Sequence, residues 1–184
     1  MNSFTTDWVT GHEAIWKQVL NKFAGQPSLR ALEIGVYEGR SSLWFLSHIL
    51  THPTATIVCI DPYCKPVFHQ NIALYAKQAT LIEEPAQKAL RTQNFAPESL
   101  HFIYIDGDHK ARAVLEIAVL CFRLLKKGGI IIFDDYFWKS PNGDDELLNP
   151  KIAIDCFLKI FKGQYTLLNK GRQVILERTI KGRL

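Results

Sequence analysis

Two groups of residues in this 184-residue chain have types and spacings that can do chemistry. The first is the run Glu33-Ile-Gly35-Val-Tyr37-Glu-Gly39-Arg-Ser41-Ser42, with Asp61 following it. Glycines at 35 and 39 let the backbone pass close to a ligand, and Ser41 and Ser42 open a helix whose free N–H groups favour an anion. Asp61 closes the next apolar run, where a carboxylate can hold both hydroxyls of a ribose. The turn alone fits a plain strand-to-helix connection equally well; with Asp61 it points to a nucleoside. The second group is Asp106-Gly-Asp108-His109 and Asp134-Asp135. Oxygen donors from Asp106, Asp134 and Asp135 suit a hard cation, most simply Mg²⁺ with waters completing its shell. Aspartates after strands also fill turns and cap helices, and Asp106-Gly107 makes a turn by itself.

Positioning these groups requires a sheet, and the pattern supplies one. A helix is expected from Trp8 to Phe23, capped by Asp7, with Trp8, Ile15, Val19 and Phe23 on one face. Arg30–Ile34 reads as a strand and Arg40–Leu50 as a helix. Thr54–Ile60, apolar and β-branched, reads as a strand buried on both faces. Strands at 79–82, 100–105 and 130–133 alternate with helices at 68–77, 86–91 and 110–126, the last closed by Gly128-Gly129. A polar loop at 140–149, a helix at 150–161 begun by Pro150, and a hairpin through Lys170-Gly171 complete the chain. Repeated βα units imply a mostly parallel, Rossmann-like sheet with helices on both faces, in one domain: a helix at 1–25, then a core over 28–184. The site residues all fall just after strands, where ligands bind in such sheets.

Composition narrows the function classes. With 47% hydrophobic and 22% charged residues the chain has the balance of a globular domain, and its net charge of +4 is too mild and too dispersed for nucleic-acid binding. The one basic cluster is Lys181–Arg183. No apolar run nears the roughly 20 residues that span a bilayer, and no signal peptide is evident at the start. Cys59, Cys121 and Cys156 lie in apolar patterns and are expected to be buried, reduced thiols, whereas Cys64 follows a strand end; this usage suits a cytoplasmic location.

The spacing E-x-G-x-x-x-G lacks the third close glycine of dinucleotide folds, which favours S-adenosylmethionine over NAD. Here the chain resembles a family. Leu32-Glu-Ile-Gly-Val-Tyr-Glu-Gly-Arg-Ser-Ser42, Asp61-Pro-Tyr63, Asp106-Gly-Asp-His109 and Phe133-Asp-Asp-Tyr136 are similar to class I methyltransferases of the methyltransferase-24 group, related to catechol and macrolide sugar O-methyltransferases. The resemblance implies a seven-stranded sheet ending in an antiparallel hairpin. It implies that Glu33, Gly35, Tyr37, Gly39 and Ser41 surround the methionine part of the cofactor, that Asp61 binds the ribose, and that Pro62-Tyr63 flank the adenine. Glu84-Pro85-Ala86 departs from the Gly-Asp-Ser stretch often found there. Asp106, Asp134 and Asp135 fall at the metal-ligand positions of the metal-dependent members, with Asp106 also beside the cofactor.

Methyl transfer needs a nucleophile in line with the sulfonium, so most of the catalysis is positioning. A small-molecule or sugar hydroxyl is the expected acceptor, with a metal-independent enzyme on another atom, or a non-catalytic cofactor-binding domain, as the alternatives. A divalent cation lowers the pKa of a hydroxyl beside it, and a base can take the proton. Asp108 and His109 are both candidates: the sugar enzymes favour an Asp at the first position, and the catechol enzyme has its lysine at the second. Tyr136-Phe137-Trp138 is expected to wall an acceptor pocket or to be a core edge, and the loop at 140–149, with Asp144, Asp145 and Glu146, to be a lid or a solvated turn. The other histidines show no ligand spacing. The partners expected are a small-molecule acceptor and, on size alone, a second subunit helping to close the site.

Overall fold

The computed structural model describes residues 3–141 and 145–179; the basic cluster at 181–183 and Asp144 lie outside them. Seven strands form one sheet: β1 (Arg30–Ile34), β2 (Thr56–Ile60), β3 (Ala79–Ile82), β4 (Leu100–Ile105), β5 (Leu125–Phe133), β6 (Tyr165–Lys170) and β7 (Val174–Arg178). Their order is β3-β2-β1-β4-β5-β7-β6. The first five run parallel, whereas β7 is antiparallel to β5 and β6 to β7. The order reverses between β1 and β4, and a crevice opens beyond their carboxyl ends at such a point.

Among the described residues six α-helices cover the sheet: α1 (Glu13–Leu20), α2 (Arg40–His48), α3 (Val67–Asn71), α4 (Ala86–Thr92), α5 (Ala111–Phe122) and α6 (Pro150–Ile160). Alternation along each strand sends side chains into two separate cores. Ile103, Ile131, Val174 and Leu176 pack with Ala89 of α4, Phe122 of α5 and Phe157 of α6. Phe102, Ile130 and Ile175 pack on the other face with Trp16 of α1, Phe45 of α2 and Phe68 of α3. No helix among the described residues is long and apolar enough to cross a membrane.

Four expectations are corrected. The first helix begins at Glu13 and not at Trp8. Asp7 accepts from the Val9 and Thr10 amides and so caps a turn, because Val9, Thr10 and Gly11 are poor helix formers. Trp8 therefore leaves the apolar face and is 64% exposed. Gly128-Gly129 does not close α5, which ends at Phe122; both glycines lie inside β5, where the register with β4 slips between Leu100 and Phe102 and Gly128 takes a φ of +78°. Across that slip β4 advances two residues while β5 advances five, and a glycine at positive φ eases such a bulge-like detour. Cys156 is exposed on α6, while Cys59 and Cys121 are buried.

Candidate functional site

The turn after β1 owes its glycines to the protein's own packing. A Cβ on Gly35, at φ +81°, would lie 1.9 Å from the Asp106 carbonyl oxygen, so this glycine lets the ends of β1 and β4 touch. A Cβ on Gly39, also at φ +81°, would meet the Phe68 ring at 2.7 Å. Glu33 is fully buried beneath the turn, where Ser41 Oγ donates to one of its oxygens and Ser42 Oγ to the other, at 2.5 Å. Burial raises its carboxyl from the ordinary 4.5 to about 7, against the lowering effect of those hydroxyls. Glu33 thus clamps the start of α2 to β1.

Asp61, at the end of β2, braces the same turn. One oxygen accepts from the Val36 and Tyr37 amides at 2.9 and 3.0 Å, and the other accepts from Tyr63 N at 2.7 Å. These bonds hold Tyr37 at φ +47°, a conformation a bulky residue rarely adopts.

A cavity of about 1030 Å³ runs across the carboxyl ends of β1, β2, β4 and β5. Gly35, Tyr37, Ser41, Asp61, Pro62 and Tyr63 line one side, together with Pro85 and Ala86 from the stretch after β3; Asp106, Asp108, His109, Asp134 and Asp135 line the other. Glu33 and Gly39 lie behind the wall. The volume is at the top of the range for small-ligand sites.

On the second side, β4 and β5 are neighbours and bring their terminal acids together. Asp106, His109 and Asp135 each place a ligand atom within 4.8 Å of the others'. His109 Nε2 is 2.8 Å from Asp135 Oδ2, and its ring packs on Trp138 with centroids 4.1 Å apart. Asp134 is differently engaged: Oδ1 accepts from Asp135 N at 2.7 Å, while Oδ2 accepts from Gln173 Nε2 at 2.7 Å and from the Tyr104 hydroxyl. The same hydroxyl lies 3.2 Å from Asp106 Oδ2. Burial, then the charges of Asp134 and Asp135, push the Asp106 carboxyl well above the usual range. A cation among these oxygens would relieve that repulsion, and two carboxylates with one imidazole are a donor set that binds divalent metals. Asp108 is exposed and accepts from Lys110 N at 2.9 Å, so one of its oxygens serves the turn into α5.

The remaining wall comes from residues 3–12, a strap laid over the turn. Ser3 N and Ser3 O bond the Asn71 amide at 2.8 Å each, Thr5 N and Oγ1 donate to Glu38 at 2.7 Å each, and Arg40 meets Asp7 at 2.8 Å. Trp8 packs on Tyr37, centroids 5.4 Å apart. The strap, Tyr104, Gln173 and Arg172 were not legible as site residues. Tyr104 did carry a signal, a hydroxyl in an otherwise apolar strand two residues before Asp106.

The profile of a methyltransferase domain family, the methyltransferase-24 group, matches residues 32–136, more than half of the chain. The chain belongs to this family. Its fold is that of the class I, S-adenosylmethionine-dependent methyltransferases, and Asp61, Asp106, Asp134 and Asp135 all fall inside the match. The chain is 25% identical over 134 residues to the uncharacterized protein R132 of Acanthamoeba polyphaga mimivirus, covering 68% of this chain and 59% of that one. The MycE methyltransferase of the mycinamycin biosynthetic pathway, solved with Mg and SAH, is similar with a TM-score of 0.71 at 16% identity, over 95% of this chain and 51% of that one. The SAH-bound methyltransferase PaMTH1 of Podospora anserina gives 0.65 at 20% identity, over 96% and 80%. These last two likenesses establish the fold, and the chain spans little more than half of the mimivirus protein and of MycE.

Proposed function

We propose that the methyltransferase moves the methyl group of S-adenosylmethionine to a hydroxyl oxygen of a small acceptor, assisted by a divalent cation. The carrying observation is the juxtaposition of His109, Asp135 and Asp106 at one end of a cavity whose other end follows the Gly35 turn and Asp61. The cofactor supplies an electrophilic methyl group. Its amino-acid part fits against Gly35, Tyr37 and Ser41, its ribose against Asp61, and its base between Pro62-Tyr63 and Pro85.

Asp135 holds the Nε2 edge of His109, which leaves Nδ1 as the nitrogen that takes the acceptor's proton; a carboxylate fixing an imidazole's tautomer is a known way to build a base. His109 is favoured over Asp108, one oxygen of which is engaged by Lys110 N. Asp106 and Asp135, with Asp134 behind them, would hold the cation, most simply Mg²⁺, which supplies Lewis acidity to a nearby hydroxyl. Tyr104 and Gln173 orient Asp134. MycE, similar in fold, was solved with Mg and SAH.

A second reading rests on the 4.8 Å convergence that includes His109: the imidazole is then a third ligand, and the site favours Mn²⁺ or Co²⁺ over Mg²⁺. Calorimetry and Mn²⁺ resonance on wild type and His109→Gln separate the two. With His109 as base, the variant loses roughly 10²–10⁴ in turnover and keeps its Mn²⁺ affinity; with His109 as ligand, that affinity falls. If S-adenosylmethionine does not bind at high micromolar concentration, the function is wrong. Turnover that survives both EDTA and Asp134→Ala rules out metal assistance.

A further inference from the structure

Among the charged residues of the cavity wall acids outnumber bases, no lysine is among the described residues that line it, and its two arginines differ in kind. Arg40 is held by Asp7 at 2.8 Å and donates to the Thr6 carbonyl oxygen. Arg172 is exposed, and among the described residues its guanidinium has neither a hydrogen bond nor an ion pair. It is therefore not an internal counter-ion to the acids nearby. Its backbone is nonetheless well fixed. The Arg172 carbonyl oxygen accepts from Tyr136 N at 3.0 Å. The next residue, Gln173, is 1% exposed, accepts from Trp16 Nε1 at 2.8 Å and donates to Asp134 Oδ2 at 2.7 Å. Because Val174 pairs with Phe133, the turn before β7 carries Arg172 to the end of β5, next to Tyr136, where it lines the same cavity as Asp135, Phe137 and Trp138.

We infer that Arg172 binds an oxyanion of the acceptor, so that the acceptor is a hydroxylated ring bearing a carboxylate. This rests on the methyl-transfer reading above and adds to it the chemical class of the substrate. A guanidinium fork matches a carboxylate with two parallel hydrogen bonds, and a site walled by acids repels an anion unless such a cation receives it. Trp138, already packed on His109, offers a flat apolar surface for the ring. The hydroxyl then faces the His109–Asp135 pair while the carboxylate faces Arg172.

The test uses the full chain saturated with S-adenosylhomocysteine and Mg²⁺, titrated with 3- and 4-hydroxybenzoate and with their amides, which have nearly the same shape without the charge. The better benzoate binds wild type about ten-fold tighter than its amide. Arg172→Gln brings the pair within about two-fold, and Arg172→Lys keeps part of the difference. The inference is overturned if wild type shows no preference for the benzoates or binds none of the four, or if the preference survives Arg172→Gln. It is also overturned if Arg172→Gln weakens S-adenosylhomocysteine itself, since the guanidinium then belongs to the cofactor. Failure of S-adenosylhomocysteine to bind wild type is seen before any benzoate is added and counts against the methyl-transfer reading underneath.

Discussion

Glu33 has no solvent exposure, and both of its oxygens receive serine hydroxyls from the first turn of α2. Burial raises its carboxyl to about 7, whereas the unfolded chain ionises it near 4.5. The sign of the linkage follows: the raised folded value makes stability complete below pH 4.5 and removes it as pH climbs toward 7, by about 3 kcal/mol in all. Glu33→Gln keeps the shape and removes the titration, so its stability relative to wild type should rise across that window and level off above it. Denaturant unfolding at several pH values measures this, and a difference that stays flat from pH 4.5 to 7 would refute it. The sequence showed Glu33 and both glycines as special without showing why. A buried clamp and a ligand contact ask for the same residue types, and only the placement of Asp106 and Phe68 against Gly35 and Gly39 separates them. Asp134 is similar: its position after β5 was readable, but its hydrogen bonds to Tyr104 and Gln173 join residues far apart in the chain.

Among the elements, β1, β3 and β4 have the expected bounds because short apolar runs flanked by polar turns leave little choice. Two misplaced ends, the start of α1 and the close of α5, share a cause. Trp8 continued the apolar spacing of α1 and Gly128-Gly129 followed the apolar spacing of α5, so local periodicity argued for helix in both places. Tertiary contacts decided otherwise, drawing residues 3–12 into a strap and making 125–133 one bulged strand. The strap is held chiefly by side chains, and Asn71, 3% exposed, bonds Ser3 N, Ser3 O and Glu38 O. Asn71→Ala leaves these groups without partners and should cost about 1–3 kcal/mol locally. Hydrogen exchange at residues 3–10 should then quicken while β1 and β4 keep their protection. Affinity for S-adenosylhomocysteine should fall several-fold, since Trp8 and Asp7 wall the cavity. Unchanged exchange in the strap would show that Asn71 does not hold it.

For the molecule as a whole, the alternation of strands and helices predicted the parallel sheet, and right-handed crossovers leave few other arrangements. The pairing of β7 with β5 could not be read from pattern alone, yet it carries Gln173 and Arg172 to the site. The same antiparallel strand finishes at the amino ends of the parallel strands, opposite the site. There Arg178, 1% exposed, donates to the Leu125 carbonyl oxygen and to Glu98 Oε1 at 2.9 Å, with its guanidinium 5.5 Å from the Phe122 ring centroid. One buried side chain thus joins the end of β7, the start of β5, the end of α5 and the approach to β4. Arg178→Met preserves much of the volume and removes every donor, stranding the Leu125 carbonyl in the core. The expected cost is about 2–4 kcal/mol, or a fall in Tm of roughly 5–15 °C. The site lies at the other ends of these strands, so affinity for S-adenosylhomocysteine, measured well below the transition, should stay within two-fold of wild type. If affinity falls as steeply as stability, the two ends of the strands are not energetically separate. If stability changes by less than about 0.5 kcal/mol, the range ordinary for surface substitutions, Arg178 is not the tie its hydrogen bonds describe.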